Sequence, residues 1–261
     1  MSLTFQARGI DDNPLLLAQS YRLRYQVYCV ERHFLRAEDY PDKLESDTFD
    51  RHSIHVGAVD AQGELAATAR IVKPNNAGLP LFHHCTLFPH VTALKEFGNT
   101  VVEVSRVSIS RHYARRRDDP PCGAAVVSGA DARASASPAV ERRQRHAEPF
   151  LTLLKAVIYG AKGVRATHLI GATDAALHRW LVHYGFPYRA AGPETEYYGR
   201  VAPYIMSLVE LDQVILGRQF TALDGFPVGL DPALWPDAEP NRRIALTSVD
   251  DVAVPVRLVE R

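Results

Sequence analysis

The stretch Val101-Val102-Glu103-Val104-Ser105-Arg106-Val107-Ser108-Ile109-Ser110 decides the reading of this chain. It is rich in β-branched residues and follows Gly98-Asn99, so it reads as a strand. A strand through a core should alternate apolar with polar residues or be apolar throughout. This one sets Glu103, Ser105 and Arg106 among valines. An acid and a base in a buried strand are costly unless paired. Two explanations fit: an ion pair that tethers a neighbouring loop, or a site. On an ideal strand Glu103 and Ser105 share a face while Arg106 points the other way. A β-bulge would re-aim one of them and free a backbone N–H to hold a carbonyl oxygen.

The remaining chain sets the bounds. Its 261 residues suit one large domain or one domain with appendages. Lysine plus arginine equals aspartate plus glutamate, 30 against 30, so no global field argues for nucleic acid. Cys29, Cys85 and Cys122 are too few and too scattered for a disulfide framework. His83-His84-Cys85 are adjacent residues, which rarely reach one ion together, so no metal is expected. No apolar run has the ~20 residues of a membrane helix, and the first residues lack the apolar centre of a signal peptide. A soluble cytoplasmic protein is expected.

Upstream, Leu3 to Arg8 suits a first strand, and Asp12-Asn13-Pro14 starts a helix. Leu16, Ser20, Leu23, Val27 and Val30 form its expected core stripe. Tyr21, Arg24 and Tyr28 lie on an adjacent face, where a solvent-facing arginine is the ordinary outcome. The polar run Glu31 to Thr48 is too long for a simple connection. It leads into Glu45-Ser46-Asp47-Thr48-Phe49-Asp50, whose acids suit a solvated turn. His52 to Val59 and Glu64 to Val72 are hairpin strands around Asp60-Ala61-Gln62-Gly63, and the second carries Arg70.

Downstream, Arg111 to about Glu148 has almost no bulky apolar residue and reads as a mobile insert. Order resumes at Pro149 with a helix carrying Phe150, Leu153, Leu154, Val157 and Ile158. A strand at Ala166–Ala172, a helix capped by Asp174 and a strand at Ala202–Leu211 follow. Hairpin strands beside a strand–helix–strand crossover make an α+β fold, a mixed α/β sandwich. The expected layout is a main domain over 1–217, with the insert at about 114–148, and a C-terminal appendage over 218–261.

Arg24 with Tyr28, then Phe34, Glu45-x-Asp47-x-Phe49-Asp50, Thr68-Ala69-Arg70-Ile71 and Glu103-Val104-Ser105-Arg106 form an ordered set. The set resembles the acyl-homoserine-lactone (autoinducer) synthases and the related N-acyl amino acid synthases. Five further stretches look like the acyltransferases associated with PEP-CTERM/exosortase systems of bacteria. They are Arg24-Tyr25-Gln26-Val27-Tyr28, Ala37-Glu38-Asp39-Tyr40-Pro41, Phe49-Asp50-Arg51-His52-Ser53, His84-Cys85 and Glu196-Tyr197-Tyr198-Gly199-Arg200-x-x-Pro203-Tyr204. The resemblance runs from about Tyr21 to Leu211.

That resemblance implies a GNAT-like acyltransferase fold with a splayed central sheet, the splay lying between Val101–Ile109 and Thr167–Gly171. It implies transfer of a fatty acyl group from an acyl-phosphopantetheine thioester to an amine, with no permanently bound cofactor. Glu103, Ser105 and Arg106 would be catalytic, with Glu103 the base. Arg24, Tyr28, Phe34, Asp47, Asp50 and Arg70 would bind substrate. The acids would hold the incoming ammonium or order the loop, and the arginines would hold the acids or grip a carboxylate. The three arginines and the carboxylates Asp47, Asp50 and Glu103 would balance one another.

The segment after the central strand, Arg111-His112-Tyr113-Ala114-Arg115-Arg116-Arg117, lacks the glycine-rich loop of acetyl-CoA users. An acyl carrier protein is therefore the expected donor partner, with coenzyme A as the other possible carrier. Arg111, Arg115, Arg116 and Arg117 form a basic patch suited to such an acidic protein; a merely charged insert fits as well. Leu153, Val157, Ile170 and Trp180 could line an acyl pocket, although ordinary core also explains them. The acceptor is an amino acid or similar small amine. Alternatives are a lactone-signal synthase, disfavoured because the first loop lacks Trp, a non-catalytic carrier-binding module, and an acetyl-CoA-dependent acetyltransferase.

Overall fold

A computed structural model describes residues 5–76, 78–94, 98, 100–113 and 138–216, with the backbone alone over 138–147 and at 216. The basic residues Arg115, Arg116 and Arg117, most of the expected insert and the whole appendage lie outside the described residues.

Strand β1 (Phe5–Gly9) leads into helix α1 (Pro14–Tyr25). Asn13 caps that helix, its side-chain oxygen accepting from the N–H groups of Leu15 and Leu16 at 3.1 Å each. The chain then continues as a π-helical turn over Gln26–Glu31. The wider turn rotates the buried face. Leu16, Ser20 and Arg24 are buried on α1, Cys29 follows, and Val30 is exposed. The expected stripe through Val27 and Val30 is thus displaced, and Arg24 points inward. π-turns of this kind often mark functional sites.

Strands β2 (Ser53–Asp60) and β3 (Leu65–Val72) form the expected hairpin, followed by a short helix α2 (Pro89–Thr92) and the central β4 (Val101–Ile109). Helix α3 spans Pro138–Gly163. It begins well before Pro149, which sits inside it, so regular structure resumes sooner than the expected start at Pro149. Strand β5 (His168–Thr173) and helix α4 (Ala175–His183) come next, the latter capped by Asp174. Two short strands, β6 (Arg189–Ala190) and β7 (Thr195–Glu196), precede β8 (Arg200–Ser207). Helix α5 (Leu208–Leu216) replaces the expected continuation of that strand beyond Ser207.

The eight strands form a mixed sheet in the order β1-β2-β3-β4-β5-β8-β6, with β7 on β8. β4 and β5 run parallel and the other neighbours antiparallel. One face packs on α3 and α4 through Ala58, Ala67, Ala69, Ile71, Val102 and Leu169. The alanines leave room for a close helix, and a Cβ on Gly160 would stand 2.8 Å from Ile71 Cδ1. The other face carries α1, docked by the Ser20–Thr68 hydroxyl pair at 2.8 Å, and a second core around Val72, Leu79, Leu81 and Ile170. Leu153, Val157 and Trp180 therefore belong to one core and Ile170 to the other, so the four do not line one pocket.

Two irregularities shape β4. Its pairing with β5 covers Val101, Val102 and Glu103 only, although both strands continue. The sheet splays after Glu103, between the strands expected. On the other side, Thr68 pairs with Ser108 and Arg70 with Ser105. Arg106 and Val107 thus stand opposite the single residue Ala69, a β-bulge. Arg106 holds φ at 55°, in the left-handed region.

Candidate active site

The bulge carries Arg106 off the strand's alternation and onto the loop at 45–50. There it meets Arg24 from α1 and Arg70 from β3. Arg24 Nε donates to Glu45 Oε2 at 2.5 Å, and its Nη1 and Nη2 donate to the two oxygens of Asp50 at 2.7 and 3.1 Å. Arg106 Nε donates to Glu45 Oε1 at 3.0 Å and its Nη2 to Asp47 Oδ2 at 3.1 Å. Arg70 Nη1 donates to Asp47 Oδ1 at 2.5 Å and to Asp50 Oδ1 at 3.0 Å, while its Nε donates to Ser105 Oγ at 3.3 Å. Arg24 and Arg70 are each 1% exposed and Glu45 is 0% exposed.

Backbone donors complete the loop. Asp50 Oδ2 accepts the Asp47 N–H at 2.7 Å, and Asp47 Oδ1 accepts the Phe49 N–H at 2.8 Å. The Glu45 N–H donates to the Tyr21 carbonyl at 3.0 Å. A loop whose acids suggest solvent is therefore folded inward around three guanidinium groups. Burial pushes the Asp47 carboxyl up, but the hydrogen bond and charge of Arg70, with Arg106, outweigh it and hold the group below its usual range. Burial also acts on Asp50, and the His55 and Arg24 hydrogen bonds hold it far lower still.

Two cluster members escape sequence reading. His55, on β2 opposite Arg70, has Nδ1 2.6 Å from Asp11 Oδ1 and Nε2 3.0 Å from Asp50 Oδ1. Both ring nitrogens face carboxylates, an arrangement satisfied by the imidazolium donating twice. Burial pulls its pKa down, but the Asp11 and Asp50 hydrogen bonds raise it above the ordinary value. Glu45 belongs to the quoted motif, yet it takes the balancing role expected of Glu103.

Glu103 stands apart. It is 3% exposed and pairs with no arginine among the described residues. Its Oε2 accepts the Leu81 N–H at 2.7 Å. Burial drives its carboxyl up to about 7, opposed by the Leu81 N–H and the charges of Arg70 and Arg106. It is the last residue of β4 paired to β5, so a protonatable acid sits at the apex of the splay. A group with that pKa is poised for proton transfer near neutral pH.

Tyr28 and Phe34 come together with Tyr198, which sequence reading did not single out as a site residue. The ring centroids lie 6.1 Å (Tyr28–Phe34), 6.1 Å (Tyr28–Tyr198) and 5.7 Å (Phe34–Tyr198) apart. The Arg106 guanidinium lies 5.2 Å from the Tyr28 ring and 5.6 Å from that of Tyr198. Tyr197 stacks on His84 at 4.2 Å, extending the aromatic wall. The expected basic patch fares differently. Arg111 is exposed and pairs with Glu31 at 2.7 Å, across from the π-turn, and its three companions lie outside the described residues.

Among the described residues no helix is long and apolar enough to cross a membrane. No three histidine, cysteine, aspartate or glutamate side chains are arranged there to hold a metal ion.

Residues 23–119 match the family model described as an acetyltransferase (GNAT) domain. Among curated proteins no relative matches the sequence. Among solved structures, the CoA-dependent acyl-homoserine lactone synthase BjaI, with SAM and isopentyl-CoA, is 15% identical with a TM-score of 0.55; the alignment covers 87% of this chain and 92% of BjaI. TofI, in a ternary complex with an inhibitor and MTA, is 22% identical with a TM-score of 0.50, covering 85% of this chain and 94% of its own. FeeM, an N-acyl amino acid synthase from uncultured soil microbes, is 13% identical with a TM-score of 0.48, covering 85% and 97%. The sheet order, the splay after Glu103, the family match and the likenesses to BjaI and TofI agree: the chain has the α+β fold of the GNAT domain.

Proposed function

We propose that this chain is an N-acyltransferase. It moves a fatty acyl group from an acyl carrier protein thioester to the amine of an amino acid or similar small molecule. The observation that carries this reading is Glu103, a buried acid with a pKa near 7 at the point where β4 and β5 part. A splayed sheet offers an entry for a thin acyl-phosphopantetheine arm, and the acid beside it supplies the base.

The thioester is already activated, so the protein must position the reactants, remove protons and stabilise an oxyanion. The ammonium gives up a proton and its nitrogen attacks the thioester carbonyl carbon. The tetrahedral adduct then loses a second nitrogen proton and expels the thiolate. One proton ends on the thiol and one in solvent, with the Glu103 carboxylate relaying them. A bulge drops its extra residue from the ladder, and we assign a backbone N–H at 106–107 to the oxyanion. Ser105 orients Arg70, and Arg106 fixes Tyr28 and the 45–50 loop around the acceptor. The oxygens of Asp47 and Asp50 are already engaged, so these acids order the loop rather than bind the ammonium.

The motif likenesses at Arg24–Tyr28, Phe49–Ser53 and Glu196–Tyr204 support a place among the PEP-CTERM/exosortase-associated acyltransferases, in a bacterial cytoplasm. The basic run at Arg111, Arg115, Arg116 and Arg117 supports a carrier protein as donor. A second reading is a lactone-signal synthase. BjaI is a CoA-dependent acyl-homoserine lactone synthase solved with SAM, and the wall of Tyr28, Phe34 and Tyr198 suits an acceptor bearing a flat ring.

The test is thiol release from acyl carrier protein and acyl-CoA thioesters, with an amino-acid mixture or SAM as acceptor, and mass spectrometry of the products. An N-acyl amino acid is expected. A lactone formed only with SAM establishes the second reading. A stoichiometric carrier complex with no thiol released overturns both and leaves a binding module.

A further inference from the structure

The ion cluster is closed on its acidic side. Both oxygens of Glu45, Asp47 and Asp50 accept hydrogen bonds, and Arg24 uses all three of its nitrogens. The open valence is on Arg70. Its Nη2 is buried and has no hydrogen-bond partner among the described residues. An unpartnered nitrogen on a guanidinium that is 1% exposed is costly and calls for an acceptor.

The direction of that nitrogen follows from the planar guanidinium, in which Nη2 shares an edge with Nε. Nε donates to Ser105 Oγ at 3.3 Å, so this edge faces β4. Ser105 is the register partner of Arg70, and Glu103 is the partner of Val72. Directly opposed residues share a face, as do residues two apart on a strand. Arg70, Ser105 and Glu103 therefore line one face at the apex of the splay. An unpaired guanidinium nitrogen and an acid without a counter-ion stand side by side there, not bonded to each other.

We propose that Arg70 Nη2 is a substrate subsite that donates to a negatively charged substrate oxygen held next to Glu103. Resting on the acyl-transfer reading, two oxygens qualify: a carboxylate of the acceptor, and the oxyanion that forms on the thioester carbonyl. Arg24 and Arg106 anchor the loop, and Arg70 is the arginine of the cluster that also binds substrate.

The experiment compares wild type with Arg70→Lys, which keeps one cation for Asp47 and Asp50 but has no second nitrogen to reach the substrate oxygen. Each is assayed with acyl carrier protein thioesters and with L-amino acids against their α-carboxamides, which keep the amine and lose the charge. If the oxygen is the acceptor's carboxylate, wild type prefers acid over amide in kcat/KM by about 10- to 100-fold. That preference collapses in Arg70→Lys. If it is the oxyanion, acid and amide react alike, and Arg70→Lys lowers kcat by about 100-fold or more with KM little changed. A variant altered in stability but in neither selectivity nor kcat overturns the proposal.

A second measurement works without turnover and without the variant. In wild type labelled with 15N-arginine, the Arg70 side-chain signal should shift on adding the amino acid or the acyl thioester. If no thiol is released from any thioester, the acyl-transfer reading has failed, and this signal alone decides the subsite. A shift with the acid and not its amide supports it; no shift with any probe overturns it.

Discussion

Replacing Glu103 with glutamine removes the charge and keeps the shape. The amide oxygen can still accept the Leu81 N–H that Glu103 Oε2 now accepts at 2.7 Å. Folding lifts this carboxyl from 4.5 to about 7, so between those values the folded state holds more protons than the unfolded one. Stability from this group therefore falls as pH rises from about 4.5 to 7 and is level above that. The lift corresponds to about 3 kcal/mol. Urea denaturation of both proteins at pH 5 and pH 8 reads it directly, because other titrating groups cancel in the comparison. The variant should gain on wild type by up to about 3 kcal/mol between those pH values. Thiol release should fall by about 100-fold or more, a base's usual contribution, while wild-type activity should climb through pH 7. A stability difference that stays constant with pH would refute the claim of an uncompensated buried acid. Unchanged thiol release in the variant would refute the base.

Three more perturbations follow from the geometry. Arg24→Ala strands Glu45 and Asp50 without their best donors. It should cost about 3–5 kcal/mol in urea denaturation. At Arg106, held at φ 55°, the glycine variant should be about 1 kcal/mol more stable than the alanine variant, since both lose the ion pairs and only glycine suits the backbone. In Gly192→Ala the added carbon would lie 2.0 Å from the Thr86 carbonyl oxygen. The segment that packs there must shift, and melting should show a loss of about 1–3 kcal/mol.

Much of the site was legible because burying charge demands partners. Arg70 and Arg106 in strands called for partners, but the acids of the polar loop suited a solvated turn, and it was the resemblance that joined the two sets. The awkward alternation of Glu103, Ser105 and Arg106 announced the bulge. Glu45 was misjudged because an acid in a polar turn looks solvated until its partners are located. Its two arginines lie on α1 and β4, distant in sequence. Arg24 entered through the resemblance, while helical spacing alone set it beside the expected core stripe; in the structure it continues the buried row Leu16, Ser20 and Arg24, and the π-turn after it carries Val30 out to an exposed position. His55 sits in an apolar strand with no local sign of its two carboxylates, one of which, Asp11, precedes α1. Glu103 was recognised as a candidate base but wrongly placed within the ion balance; burial raises its pKa, and without a paired guanidinium the distant charges of Arg70 and Arg106 offset that only in part.

The hydrogen bond from the Leu81 amide to Glu103 has a consequence for motion. A carboxylate is a stronger acceptor than a carboxylic acid. Each time Glu103 loses its proton, the turn at Pro80–His83 is gripped harder, and each time it gains one, the grip eases. Proton transfer and the stiffness of the segment overlying the second core are thus one event. The Leu81 amide would record the ionisation of the acid as a rise in its protection from hydrogen exchange across pH 7.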